Sequence, residues 1–244
     1  MSLQGEIDKN YERFYESWTA QAPRNWATLA KEKFFRESYR RLCCLGALKR
    51  DVVVRMASSD SAAFMLEAHN DALTSHVMAN LGAWRVSLQA LRSCIENTLC
   101  CLFYKDHPIE LRLWALGKYR TTFSDMHEYF VGHPDLTDIG PTNCGLDQIA
   151  QEYKTLSFAV HGSAANFRMT DNIAEVLLWD SSTIRASKWA TREHKVLEGL
   201  SLLICYLHRS ELQGSRLPHV RELLGFVLTA SKRNALKKLA KVGV

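Results

Sequence analysis

The chain has 244 residues, which suits one or two domains and a substantial buried core. With 47% hydrophobic and 23% charged residues it is not a disordered polymer. Only 12 glycines and 5 prolines exclude collagen-like sequence and argue against a turn-dense β-sandwich. The net charge of +5 is unevenly spread: residues 24–50 carry +6 and 216–244 carry +6, while 1–23 carry −2 and 51–215 carry −5.

Helical periodicity governs the chain from its start. Residues 6–22 read as a first helix, with Ile7, Tyr11, Phe14, Tyr15 and Trp18 on one stripe and Pro23 as its stop. A second helix is expected from Asn25 to Lys49. The polar cluster Ser58 to Ser61 suits the cap of a third helix, reaching Asn80. Beyond Gly82, residues 84–104 form a strongly apolar helix that carries Arg92 and Glu96 four positions apart. Asp106-His107-Pro108 starts another helix, closed near Gly117. A short helix reaches Phe130, and residues 132–142 form a loop. Residues 143–161 are helical, with Gly162 as the C-terminal stop. A small β element is expected within 165–180. A long helix follows to about Leu212, and a last basic one spans about 218–241. The expectation is one all-α domain of roughly eight helices: N-terminal helices within 1–50 and a basic C-terminal helix within 216–244, packed on a core at about 80–215.

No apolar run is long enough to cross a membrane, and the first residues lack a secretory or transit signal, so a cytoplasmic protein is expected. The seven cysteines include two adjacent pairs and no CxxC spacing, so they read as reduced, buried thiols. The tryptophans, tyrosines and phenylalanines read mainly as core residues. Phosphate loops, a Rossmann glycine fingerprint, HExxH and GxSxG are absent from the sequence. The pairs His69/His76 and His127/His133 lie near acids, but neither has an evident third ligand, and neither metal nor cofactor is expected.

Residues 153–163, YKTLSFAVHGS, carry the most distinctive chemistry. Lys154, Ser157 and His161 share roughly one helix face. An imidazole there can act as general acid and base on an RNA 2′-hydroxyl or leaving oxygen, with a lysine against phosphate charge. The bland alternative is a histidine capping helix carbonyls and a serine bonded to its own helix. Basic side chains suited to nucleic-acid phosphates are Arg36, Arg40 and Arg41 in the first basic segment, and Lys232, Arg233, Lys237, Lys238 and Lys241 in the second.

The stretch Leu156-Ser157-Phe158-Ala159-Val160-His161-Gly162-Ser163 resembles the late-helix signature of divergent HEPN-superfamily proteins. Leu91-Arg92-Ser93-Cys94-Ile95-Glu96-Asn97, followed by Tyr104-Lys105-Asp106-His107-Pro108, is similar to an earlier helix and turn of such proteins. Together they span residues 80–215 loosely. The resemblance implies an all-α homodimer from a bacterial toxin or phage-defence system that cleaves RNA without metal. His161 would be the acid–base group, Lys154 the phosphate contact and Ser157 a positioning group, with Arg92 and Glu96 completing the site. The family's R-x4–6-H arginine is missing before His161, where Lys154 stands at the x6 position. Arg120 and His127 keep the letters, but on an earlier helix. The alternative is a non-catalytic helical subunit that docks on a partner protein or nucleic acid.

Overall fold

The computed structural model describes residues 2–161, 181–214 and 216–244, and among these every regular element is helical. Helix α1 spans Leu3–Leu29 and α2 spans Lys33–Leu48. A π-helical turn, Lys49–Val53, continues α2 into the short α3, Val54–Met56. Then follow α4 (Ser59–Asn80), α5 (Trp84–Asp106), α6 (Pro108–Ala115), α7 (Phe123–Val131) and α8 (Leu146–His161). The chain closes with α9 (Thr183–Leu207), α10 (Arg209–Leu212), α11 (Pro218–Leu224) and α12 (Ala230–Ala240). The helices outnumber the expected eight because short breaks interrupt the periodic runs. His208 separates α9 from α10, and the stretch from Gly225 to Thr229 divides the expected last helix into α11 and α12. The β element expected within 165–180 lies outside the described residues.

The centre of the molecule is the hairpin of α4 and α5, turned at Gly82, whose φ of +80° suits a residue without Cβ. Helix α5 is apolar on most sides because α4, α7, α8 and α9 all pack on it. Leu91, Cys94, Ile95, Leu99 and Leu102 are among its buried residues. Helix α9 carries a nearly continuous buried run from Val196 to Tyr206 against α2, α5 and α8. The start of α8 meets α9 backbone to backbone at two glycines. A Cβ on Gly145, where φ is +88°, would sit 2.6 Å from the Gly199 carbonyl oxygen. A Cβ on Gly199 would sit 2.9 Å from Ile149 Cγ1.

The caps follow the sequence logic. Ser58 Oγ accepts from Ser61 N at 3.3 Å. Thr122 and Asp125 form a reciprocal capping box on α7. Ser182 Oγ accepts from Arg185 N at the start of α9.

Two expectations change at α1. Pro23 does not end the helix, which runs on to Leu29. The turn after the proline is pinned from outside: Asn25 is buried and donates through Nδ2 to the Leu81 carbonyl at 2.9 Å, and Leu29 is buried. These tertiary anchors outweigh the one backbone hydrogen bond that proline removes. The aromatic stripe of α1 is also not core. Ile7, Tyr11, Phe14 and Tyr15 are each more than half exposed.

Candidate functional site

Helices α5 and α8 bring Arg92 and Glu96 to Tyr153. Arg92 Nη2 donates to the Tyr153 hydroxyl at 2.6 Å, and that hydroxyl donates to Glu96 Oε1 at 2.8 Å. Arg92 and Glu96 also pair directly at 3.0 Å. The Arg92 guanidinium carbon lies 4.8 Å from the Tyr153 ring centroid, and the other flank of Tyr153 is held by Phe123, stacked at 3.7 Å and 4°. Partial burial and the neighbouring Glu96 carboxylate raise the Tyr153 hydroxyl above its ordinary range, so the phenol is a neutral bridge at physiological pH. One turn on, Ser157 Oγ donates to the Tyr153 carbonyl at 2.8 Å, an intrahelical bond, while Lys154 is exposed. Arg85 Nη2 donates to the Val160 carbonyl at 2.9 Å, which places a cation at the end of α8, where the helix dipole favours one. His161 closes α8 as a backbone position, and its side chain lies outside the described residues.

The second feature is a basic face built from both ends of the chain. Helix α11 packs on α2, and the Arg40 guanidinium lies 5.4 Å from the Phe226 ring centroid. Asp51, buried in the π-helical turn, accepts from Arg50 at 2.9 and 2.6 Å and from His219 Nε2 at 2.9 Å. The Arg50 hydrogen bonds, the largest cause, and the His219 contact hold the Asp51 carboxyl well below the usual range, against the opposing effect of its burial. Helix α11, at the start of the second positive segment, therefore lies against the end of the first, joined by a contact between residues 168 positions apart.

A cavity of about 700 Å³ opens on this surface. Its wall includes Tyr39, Cys43, Lys49, Arg50, His69 and Leu223, with no carboxylate among its described lining residues. Lys49 Nζ donates to His69 Nδ1 at 3.0 Å. Burial and then the Lys49 charge lower the His69 pKa, so the imidazole is neutral at physiological pH and orients the ammonium beside it. Gly46 makes room for that ring, since a Cβ there would lie 3.1 Å from His69 Nε2.

Of the cations expected to meet phosphate, Arg36, Arg40, Lys237, Lys238 and Lys241 are exposed and Arg233 is half-buried. Lys232 is half-buried and donates to the Thr142 carbonyl at 2.6 Å. Arg41 is the exception. It is buried against Glu193 and is not part of the surface. No motif in the sequence marks Tyr39 or Lys49 as a site residue; the one signal for Tyr39 is its place as an aromatic among the arginines at 36, 40 and 41.

His76 bonds to Ser38 and His69 to Lys49. Among the described residues no group of three or more His, Cys, Asp or Glu could hold a metal ion. No helix among them is long and apolar enough to cross a membrane. Comparison with protein-family models, curated proteins and solved structures finds no match to this chain.

Proposed function

We propose that the protein binds single-stranded RNA on the face where α2 and α11 join the two basic segments. The carrying observation is the cavity on that face, which sets the exposed ring of Tyr39 beside Lys49 and Arg50. An unpaired base stacks on an aromatic ring while cations meet the flanking phosphates. Arg36 and Arg40, on the same helix as Tyr39, extend the phosphate track, and Lys237, Lys238 and Lys241 offer further exposed cations at α12. A fluorescence titration of the full chain with a single-stranded oligoribonucleotide, at several salt concentrations, tests this. Tyr39→Ala should weaken binding about tenfold or more, the effect of losing one stacked base. Binding that ignores both Tyr39→Ala and salt would reject the face.

A second reading, RNA cleavage of the HEPN type near the end of α8, draws support from the Arg92–Tyr153–Glu96 cluster. It gathers the two α5 residues beside the helix that carries Lys154, Ser157 and His161. His161→Ala should then abolish cleavage while leaving RNA affinity intact; cleavage that survives the substitution removes His161 from the chemistry.

A further inference from the structure

We propose that the cavity between α2, α4 and α11 is a receptor site for a small monocarboxylate with an aliphatic body. Two kinds of wall meet in it. Leu42 and Ala47 of α2 are buried, and Leu73 of α4 and Leu223 of α11 pack half-buried on the core. Lys49 and Arg50 add cations to this apolar lining. Small organic ligands occupy cavities of about 300–1,000 Å³ with mainly apolar walls and a few placed polar groups. The cavity here, about 700 Å³, has that size and that composition.

The two cations are not equivalent. Arg50 is already answered by Asp51, which accepts from it at 2.9 and 2.6 Å, and its side chain is 68% exposed. Lys49 is held differently, with Nζ 3.0 Å from His69 Nδ1. An ammonium can only donate, so Nδ1 carries the lone pair and the ring proton sits on Nε2. That nitrogen faces Gly46, where the missing Cβ leaves it room. A neutral imidazole fixes the direction of the ammonium without cancelling its charge. A carboxylate in the same place would form an ion pair and close the site, and none is found among the described lining residues. The bond to His69 uses one of the three donors of the ammonium. Burial and then the Arg50 charge lower the Lys49 pKa, and an anion set beside the ammonium offsets both effects.

The class of anion follows from this inventory. One uncompensated cation among aliphatic side chains matches one negative charge on an aliphatic body. A phosphate monoester carries about 1.5 to 2 negative charges near neutral pH, more than this wall answers. A carboxylate is a pure acceptor and suits the remaining ammonium donors. Tyr39 and Arg50 stand exposed at the rim, while buried Leu42 and Ala47 face the body of the ligand further in.

Calorimetric titration of the full chain tests the site with three probes of equal tail, namely octanoate, octanol and octyl phosphate. No RNA is present, so this reading of the face and the RNA reading fail separately. Octanoate should bind with a Kd below about 1 mM and at least about tenfold more tightly than octanol. Lys49→Met should abolish that preference while octanol binding and circular dichroism stay unchanged. In the wild type, saturating octanoate should slow maleimide alkylation of Cys43, the exposed thiol on the cavity wall, severalfold. Equal binding of octanoate and octanol, a preference that survives Lys49→Met, or a Cys43 that octanoate does not protect overturns the proposal. Octyl phosphate binding more tightly than octanoate overturns the monocarboxylate class.

Discussion

Arg41 Nη2 lies 2.6 Å from Glu193 Oε2, and both side chains are almost wholly shielded from water. The pair ties α2 to α9 and is held by a wider network. Ser38 Oγ donates to Glu193 Oε1 at 3.0 Å. That uses the only hydroxyl proton, so the 2.8 Å contact between Ser38 and His76 requires His76 Nδ1–H to be the donor. Arg41→Ala leaves a carboxylate buried without its cation, at a cost of about 3–5 kcal/mol. The expected fall in melting temperature is about 10 °C. Replacing both partners, Arg41→Met with Glu193→Gln, should recover a large part of that fall, because the unpaired charge is gone.

Acid should loosen the same region. Burial lowers the His76 pKa to about 4, with Arg41 adding to the shift, and burial lowers that of His208 to about 4. In the unfolded chain both titrate near 6.5. The unfolded state therefore binds more protons between these values, and stability rises with pH there. The contribution is complete above pH 6.5 and is lost as pH falls toward 4, at up to about 3 kcal/mol for each histidine. Chemical denaturation between pH 4.5 and 7 measures it. A flat profile would show that neither ring is neutral and buried in the native protein.

The glycine contact between α8 and α9 allows no side chain. Gly145→Ala adds a Cβ at 2.6 Å from a carbonyl oxygen and at a left-handed φ of +88°. The helices must separate, costing about 3 kcal/mol or more. Gly199→Ala should cost less, because its nearest neighbour is the side chain of Ile149. Paired urea melts give the ordering, and equal costs would contradict it.

Tyr153→Phe keeps the ring on Phe123 and removes both hydroxyl bonds. Each is worth about 1 kcal/mol, rising to about 1.5–3 where a charged partner is involved. A double-mutant cycle with Glu96→Gln should return a coupling of about 1 kcal/mol or more. Zero coupling would mean that the Arg92–Glu96 ion pair stands without the phenol.

Salt dependence reports the phosphate track. Changing Lys237 and Lys238 to Gln should lower the slope of log affinity against log salt by about 0.7 for each phosphate that a lysine had neutralised. Arg41→Gln, scored on the folded fraction, should leave that slope unchanged because Arg41 lies inside the protein.

How much of this was legible from sequence depended on range. Local signals placed the α4 cap at Ser58, the proline start of α6 and the apolar α5 within a few residues. Boundaries set by tertiary contacts were not legible. Pro23 reads as a stop until Asn25 is seen bonded to Leu81. The stripe on α1 looks like a core stripe, because periodicity reports an apolar face and not what covers it. Arg92 and Glu96 were visible as an i, i+4 pair, but their tie to Tyr153 spans about 60 residues and leaves no mark in spacing. Arg41 looks like its exposed neighbour Arg40 because one residue turns a helix by about 100°.

The seven thiols are unequal. Cys43 is exposed, Cys100 is partly covered, and Cys44, Cys94, Cys101, Cys144 and Cys205 are buried. Burial raises Cys44, Cys100 and Cys101 to about 12, and pushes Cys94 and Cys205 above the ordinary thiol range as well. The native chain thus has one prompt site for alkylation, on the wall of the cavity beside Lys49. A maleimide dye would mark that mouth selectively. The pace at which further dyes attach then clocks how often the interior opens, residue by residue under mass spectrometry.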